Sequence, residues 1–465
     1  MHRSDRTFTL MLAAAIAGTA LISAVMVAGM YVPGTKASKH VIQVSAGSAG
    51  TAGSTAPPAA SATPGGGPSA GSGGNGGGPG VPPSSSLTRQ ACQNGVVHLG
   101  SIITQTGPGR SITMAHALIA WEKSVNAQGG INGCRIDIDG GNILDDQGNP
   151  DLGASQYRQL WDDDKVFAFV GECAPLTDEQ MVPYVQQNSV PLVGECQSAT
   201  TAYSPPGGSG CFCIWVGGPT PTQNGRLGAE LMERVQSWPA SGGQVALVCL
   251  NDPTTIQDCQ GAAAAYGGGA LWNGGPQMEQ VYDNNYGQLI AQWQAANITH
   301  VHLVLDPGSL DRFLQAANDA GYKPQMFNNL VIDTGTAGSG GYPNANGMYI
   351  GTPWTPLDQN TPGMQRLRAA MSTYYPDDTI DLYAQTAWIS CLIFEHSLEQ
   401  MGSNVTQANL INTLNSIRGW DSGLGPVESY SPTNHVGPLE SALMQLQGAG
   451  TSGWKLVTVH GAIAG

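Results

Sequence analysis

The sequence alternates short apolar runs with helical stretches, and this alternation limits the folds open to the chain more than any other feature. Runs such as Val166–Val170 and Val245–Leu250 have the continuous apolar character of strands that are buried on both faces of a parallel sheet. Helical stretches with one apolar face lie between such runs, as in residues 112–126 and 311–321. The sequence therefore predicts an α/β fold with doubly wound parallel sheets.

The globular part of the chain begins at about Cys92, and its alternating pattern restarts after Pro219. The residues from Cys92 to the end are too many for one typical domain. A second series of strands and helices after a break indicates a second sheet with its own core. We therefore expect two lobes.

Two sections precede the globular part. Residues 1–40 contain an apolar run from Leu10 to Val32, which is roughly 35 Å long as a helix and long enough to cross a bilayer. This length favours an uncleaved membrane anchor, and a cleaved signal peptide is the alternative. Residues 41–91 are a linker rich in Gly, Ser, Ala and Pro. Such a linker buries no apolar core, so we expect a flexible spacer.

Charge and cysteine content narrow the class of protein. The net charge is −15, and the 18 basic residues are scattered along the chain, which argues against a nucleic-acid partner. All nine cysteines lie at or after Cys92, and none belongs to a Cys-x-x-Cys motif, so zinc and thioredoxin-like sites are not indicated. Together with an export segment, these cysteines predict disulfides. Because nine is odd, at least one thiol is free or pairs with another chain.

Several motifs occur in the order and spacing of a known family. They are the turn Thr106-Gly107-Pro108, a Gly-Gly-Ile-Asn-Gly segment within residues 126–133, an Asp-Asp-Gln-Gly segment within residues 145–150, and a strand within residues 164–171. A further match covers residues 297–327. On these motifs the chain resembles the type I periplasmic binding proteins, in the branched-chain amino-acid (leucine/isoleucine/valine) branch of the ABC-transporter solute-binding proteins.

The resemblance implies two lobes joined by three crossings of the chain. Lobe one would contain residues 92–219 and 351–430, and lobe two residues 220–350 and 431–465. A small polar ligand, an amino acid or a related compound, would bind between the lobes at the carboxyl ends of the strands. The protein would pass this ligand to an ABC permease at the extracytoplasmic face of the membrane, with no cofactor and no reaction catalysed.

Two predicted strands of lobe one end in the same Gly-Glu-Cys sequence, at residues 171–173 and 194–196. In the family these strand ends supply hydroxyl groups and backbone N–H groups that hold the ligand's carboxylate. Glutamates there would repel a carboxylate and favour an amine. The alternative is a disulfide between neighbouring strand ends, with both glutamates pointing to solvent. The lobe-one candidates, including two that family position places at the mouth, are Thr106, Ser111, Glu172, Cys173, Ala174, Glu195 and Cys196.

Three aspartates are the ligand candidates of lobe two. Asp252, Asp306 and Asp333 each follow an apolar run, so each is predicted at the carboxyl end of a strand. The resemblance implies that a Tyr or an acidic residue at these strand ends binds the ligand's ammonium group, and Asp333 best matches the acidic residue. The alternative for each aspartate is a cap of the helix that follows.

The remaining cysteines suggest two further disulfides. Cys92 precedes the first strand and Cys134 begins the second, so adjacent strands would bring them together. Cys249 and Cys259 flank the first turn of lobe two and form the other candidate pair. Cys211 and Cys213 are predicted to lie too close together to pair with each other. The candidate disulfide residues are therefore Cys92, Cys134, Cys173, Cys196, Cys249 and Cys259, with Cys391 as a free buried thiol.

Other chemistry is weakly indicated. Residues 145–151 resemble a calcium loop in composition but lack its twelfth-position glutamate, and His300 and His302 have no third ligand nearby in the sequence. The sequence contains no nucleophile elbow, P-loop, zinc-protease helix or dinucleotide fingerprint. We therefore expect neither a metal site nor an enzyme. A membrane-tethered sensor or a cell-surface assembly protein is the alternative function.

Overall fold

The computed structural model describes residues 89–107, 110–194, 196, 199–206, 210–239, 243–279, 286–329, 343–448 and 453–460. The predicted membrane segment and nearly all of the predicted linker lie outside these residues. Within them, no helix is long and apolar enough to cross a membrane.

The first sheet contains six strands, and all its strand pairs are parallel. The strands are β1 (Val96–Ile103), β2 (Arg135–Asp137), β3 (Ile143–Asp145), β4 (Ala168–Val170), β5 (Leu192–Val193) and β6 (Ile214–Trp215). Their order is β2-β1-β4-β5-β6, and β3 pairs with the carboxyl half of β1. The predicted α/β fold with a parallel sheet is confirmed for this part of the chain.

The second sheet contains seven strands and is mixed. The strands are β7 (Val245–Leu250), β8 (Gln277–Glu279), β9 (His300–Val304), β10 (Gln325–Asn328), β11 (Tyr349–Thr352), β12 (Ser441–Leu446) and β13 (Trp454–His460). Their order is β13-β12-β11-β10-β9-β7-β8, and β12 and β13 are antiparallel. The predicted parallel arrangement holds for β7 to β11, and β12, which enters the sheet where β11 leaves it, adds antiparallel pairing at one edge.

Helices cover the sheets. They are α1 (Ile112–Ala127), α2 (Pro150–Arg158), α3 (Asp178–Gln187), α4 (Pro221–Gln236), α5 (Pro253–Tyr266), α6 (Tyr286–Ala295), α7 (Pro307–Asp319), α8 (Pro362–Tyr374), α9 (Leu382–Met401) and α10 (Gln407–Leu414). Local sequence explains many of their starts. Thr220, Asp252, Asp306 and Thr361 each accept a backbone N–H bond as the cap, and each is followed by proline at the first helical position.

The C-terminal helices α8 to α10 pack with the first sheet, although they follow β11 of the second sheet in sequence. Helix α9 is buried around most of its circumference, as expected for a helix that is apolar on all sides. Its Trp388 and Leu392 join Trp121 of α1 and Val193 of β5 in one hydrophobic core. The second sheet has separate core clusters.

The chain passes between the two sheets three times. The crossings run from β6 to α4, from β11 to α8, and from α10 to β12. The first two leave their sheets at the carboxyl ends of strands, and the third enters beside the carboxyl end of β11, where Thr352 pairs with Ala442. All three crossings therefore lie at the carboxyl ends of parallel strands.

Two of these crossings contact each other closely. The backbone nitrogen of Val216 donates to the carbonyl of His435 at 2.9 Å, and the Tyr430 hydroxyl donates to the carbonyl of Val216 at 3.1 Å. Glycine is required at 437, because a Cβ atom there would lie 2.4 Å from the carbonyl oxygen of Gly217. Two of the segments that connect the sheets therefore pack backbone against backbone, as in a hinge.

Candidate ligand-binding cleft

The carboxyl ends of β4 and β5 lie side by side at this junction. Their register pairs Val170 with Val193, so the two Gly-Glu-Cys sequences follow neighbouring strands from equivalent positions. A disulfide joins Cys173 to Cys196, with the Cα atoms 4.8 Å apart. Glycine at 194 permits this approach, because a Cβ atom there would lie 2.9 Å from the backbone nitrogen of Gly171. The ends of two central strands are thus covalently joined.

The Glu172 side chain, next to Cys173 in the sequence, is fully buried. Its carboxyl group accepts a hydrogen bond from the Ala174 backbone nitrogen at 2.8 Å and another from the Tyr157 hydroxyl. Burial, and then the nearby Asp178, raise the pKa of Glu172 well above its ordinary value. The expectation that this carboxylate points to solvent is wrong, because the side chain turns into the core beside Tyr157. Glu195 lies outside the described residues.

A chain of backbone hydrogen bonds connects the disulfide to the start of α1. The Cys173 carbonyl accepts from the Thr104 nitrogen at 2.9 Å, and the Thr104 carbonyl accepts from the Ser111 nitrogen at 2.8 Å. Ser111 is buried, and its hydroxyl lies 3.5 Å from the same Thr104 carbonyl. The structure therefore brings Ser111, Cys173 and Cys196 together at the carboxyl ends of β1, β4 and β5.

The buried Asp146 accepts hydrogen bonds from three separate segments near these strand ends. Its carboxylate accepts from the hydroxyls of Thr104 and Thr177, both at 2.7 Å, and from the Gly148 nitrogen at 3.0 Å. Thr104 and Asp146 were not among the predicted site residues. A signal was present, because each follows an apolar strand at its carboxyl end.

Thr106 lies on the exposed side of the same loop. Its backbone nitrogen and its hydroxyl both donate to the Asp145 carboxylate. Burial alone would raise the pKa of Asp145, but bonds from Thr106, Gln147 and Gln105 lower it below its ordinary value. The sequence that resembles a calcium loop is thus a turn that binds its own backbone and side chains. Within the described residues, no three or more His, Cys, Asp or Glu side chains are grouped to hold a metal ion.

In lobe two, Asp252 and Asp306 follow β7 and β9 and cap the next helices. Asp252 accepts from the nitrogen and the hydroxyl of Thr255 at 3.0 and 2.8 Å, and burial raises its pKa. Asp306 accepts from the nitrogens of Gly308 and Ser309 at 2.8 and 3.0 Å. Both carboxylates are half-buried at the cleft end of the sheet and are held by helix starts. Asp333 lies outside the described residues.

Lobe two also contains a buried carboxyl group, that of Asp258. Asp258 on α5 accepts from Asn224 of α4 at 2.8 Å and from Asn329, which follows β10, at 3.0 Å. Burial raises the pKa of Asp258 to about 7. Close packing of α4 on α5 creates this contact, because a Cβ atom at Gly225 would lie 1.8 Å from the Asp258 carbonyl oxygen. No strand precedes Asp258, so the sequence carries no signal for it.

Three other disulfides are formed among the described residues. Cys92 is joined to Cys134 and Cys249 to Cys259, with Cα separations of 5.6 and 6.3 Å. Cys211 and Cys213 are also joined, with Cα atoms 5.3 Å apart. The expectation that these two cysteines lie too close to pair is wrong, because this separation is within the usual range for a disulfide. Cys391 is free and buried.

Comparison with known proteins agrees with this arrangement of sheets, crossings and strand ends. A family model described as periplasmic binding protein matches residues 96–451. The chain belongs to the periplasmic binding protein family. The resemblance to solute-binding proteins of branched-chain amino-acid ABC transporters is confirmed, because several proteins of that kind share the fold. No curated protein matches the chain in sequence.

Three solved structures illustrate the likeness of this binding protein to its relatives. A fatty acid ABC transporter substrate-binding protein from Thermomonospora curvata has a TM-score of 0.66 and 18% identity, over 80% of this chain and 92% of that one. A branched-chain amino-acid ABC transporter protein from Thermus thermophilus with bound valine has a TM-score of 0.64 and 18% identity, over 79% and 97%. A solute-binding protein from R. palustris in complex with benzoate has a TM-score of 0.66 and 13% identity, over 80% and 98%. These values show a shared fold.

Proposed function

We propose that this periplasmic binding protein captures a small polar solute, an amino acid or a related compound, between its two lobes and presents it to an ABC permease outside the cytoplasm. One observation carries the proposal. All three crossings meet the sheets at the carboxyl ends of parallel strands, which is where open α/β sheets bind ligands. The structural relatives are named as ABC-transporter solute-binding proteins, which supports the same role.

The proposed lobes follow the two sheets. Lobe one takes residues 92–219 with the helices between residues 351 and 430, and lobe two takes residues 220–350 with residues 431–465. Because β11 belongs to the second sheet as far as Thr352, we place the second crossing just after that residue. We further propose that the head is tethered to the membrane through residues 1–40 and the linker.

The walls of the cleft differ from a simple amino-acid site. The strand ends of lobe one present a disulfide, and the amide of Ala174 is already bonded to Glu172. The carboxylates of Asp252 and Asp306 are engaged by helix starts. We therefore propose that ligand selection depends on the polar groups at both ends of the solute. A comparison of matched acids, amides and amines then shows whether binding requires a carboxylate or an ammonium group.

A thermal-shift screen of the purified chain tests the proposal. The panel contains valine, valinamide and isobutylamine as one matched set, benzoate, benzamide and benzylamine as a second, and spermidine and a fatty acid. Binding to the folded state alone raises stability by about 2.7 kcal/mol at a hundredfold excess over Kd. We expect a clear rise in Tm with one chemical class, accompanied by a smaller radius of gyration in solution scattering as the lobes close.

A folded protein that shows no shift with any member of the panel would contradict solute capture. That result would favour the sensor or assembly function, in which the same fold serves a partner protein. A shift without compaction would retain ligand binding but remove closure of the lobes from the proposal.

A further inference from the structure

The Cys173–Cys196 disulfide lies at the start of a hydrogen-bonded path along the wall of lobe one. Cys173 both donates to the Ile102 carbonyl and accepts from the Thr104 nitrogen, each at 2.9 Å. Thr104 in turn accepts from Ser111, the N-cap residue of α1. The backbone of Cys173 is therefore hydrogen-bonded directly to the end of β1, and this strand end is in turn bonded to Ser111.

The backbone at Cys196 is held in an unusual conformation. Its φ angle is +70°, in the left-handed region that residues with side chains rarely adopt. Cys173 is buried against the core, and Cys196 is only half-buried beside it. At Cys196 an unfavourable backbone conformation thus coincides with a covalent link to a buried neighbour, and such a conformation persists only where the surrounding structure holds it.

We propose that the Cys173–Cys196 disulfide is the positioning element of the lobe-one wall, and that cutting it loosens the ends of β1, β4 and β5 together with the start of α1. The bond takes no part in a reaction and acts through the backbone of Thr104 and Ser111. The proposal rests on the proposed function only for describing this wall as a ligand site, and its test contains no ligand.

The chain supplies a matched control on the same sheet. Cys92–Cys134 links the amino end of β1 to the start of β2, at the opposite end of the strands. The two disulfides close loops with sequence separations of 42 and 23 residues, respectively. Because loop-closure entropy grows with loop length, loss of Cys92–Cys134 is expected to destabilise the fold at least as much as loss of Cys173–Cys196. If loss of Cys173–Cys196 changes the wall more than loss of Cys92–Cys134 does, lower global stability is therefore not the cause.

Amide hydrogen exchange of the full chain provides the test. The double variant Cys173→Ala with Cys196→Ala is compared with Cys92→Ala with Cys134→Ala and with the unaltered protein. In the first variant we expect exchange at the amides of Thr104, Ser111, Ala174 and the substituted residue 173 to accelerate at least tenfold. In the control variant these amides should exchange as in the unaltered protein, while those near residues 92–96 and 134–136 accelerate.

A third variant, Cys173→Ala with Cys196→Gly, separates the covalent link from backbone strain and serves if the alanine variant does not fold. Glycine accepts a φ of +70° without cost, so faster wall exchange in this variant shows that the link itself positions the wall. Equal wall exchange in the first variant and the control would overturn the proposal, because protection would then follow global stability. Unchanged wall exchange in both variants at residue 196 would also overturn it, since hydrogen bonds alone would then hold the wall.

Discussion

Lobe one and lobe two hold the carboxyl ends of their strands by different means. In lobe one, β4 and β5 are joined by Cys173–Cys196, and hydroxyl groups donate to the buried Asp146. In lobe two, Asp252 and Asp306 cap the helices that follow β7 and β9, and two amide side chains donate to the buried Asp258. In lobe one a disulfide therefore joins two strand ends to each other, whereas in lobe two the Cys249–Cys259 disulfide joins a strand to a helix and carboxylates cap the helices that follow the strands.

This difference indicates how each wall responds to pH. A disulfide does not titrate, although lobe one also contains the buried carboxyl group of Glu172, whose pKa is raised by burial. Among the described residues, the side chains bonded to the Asp258 carboxyl group are the neutral amides of Asn224 and Asn329, so its own protonation determines how strongly they are held. The comparison leads to tests that remove one means of support at a time.

The largest effect is expected where α4 packs on α5 in lobe two. Gly225→Ala would place a Cβ atom 1.8 Å from the Asp258 carbonyl oxygen, so the helices must separate and the Asp258 contacts must break. We expect a loss of about 3 kcal/mol or more in the free energy of unfolding, measured by urea denaturation. Gly287→Ala is the control, because its Cβ atom meets nothing within 4 Å, and it should be neutral or stabilising by up to about 1 kcal/mol. Equal effects would mean that the close packing is not required.

The second prediction concerns the pH dependence of lobe two. The pKa of Asp258 is about 7 in the folded protein and 3.8 ordinarily, so the folded state binds the extra proton between these values. Its contribution to stability is complete below the ordinary pKa and is lost as the pH rises through about 7, with a slope approaching 1.4 kcal/mol per pH unit. Asp258→Asn should remove this part of the slope in urea denaturation between pH 5 and pH 8. An unchanged slope would show that Asp258 does not titrate in this range.

A smaller effect is expected when a donor to the buried carboxylate of lobe one is removed. Thr177→Val keeps the side-chain shape but leaves Asp146 with one fewer hydrogen bond in a fully buried site. We expect a loss of about 1–3 kcal/mol in the free energy of unfolding. The exposed Thr373→Val is the control, since water replaces its hydroxyl bond and the change should stay within about 0.5 kcal/mol. A loss equal to the control would mean that Thr104 and Gly148 satisfy Asp146 without Thr177.

Sequence reasoning succeeded where the signal was local and failed where partners were distant. The repeated Gly-Glu-Cys after two neighbouring strands was enough to suggest the Cys173–Cys196 bond, and an aspartate between an apolar run and the helix that follows was enough to suggest helix caps at Asp252 and Asp306. Asp258 was missed, because its partners Asn224 and Asn329 are 34 and 71 residues away in the chain. The direction of Glu172 was also missed, since a short strand buried on both faces gives no sign of which face its next side chain will meet.

The smallest effect is expected for a helix cap, and it tests whether the walls of lobe two depend on their capping carboxylates. Asp306→Ala removes the acceptor for the nitrogens of Gly308 and Ser309 and for the Ser309 hydroxyl, which is itself 2.9 Å from Arg312 Nη2. We expect a loss of about 1 kcal/mol in the free energy of unfolding. Asp311→Ala, on the same helix but past its first turn, should change the stability by less than about 0.5 kcal/mol. If both changes cost the same, the cap bonds are replaced by water at little cost, and the Asp306 carboxylate is then available to a ligand rather than committed to the helix.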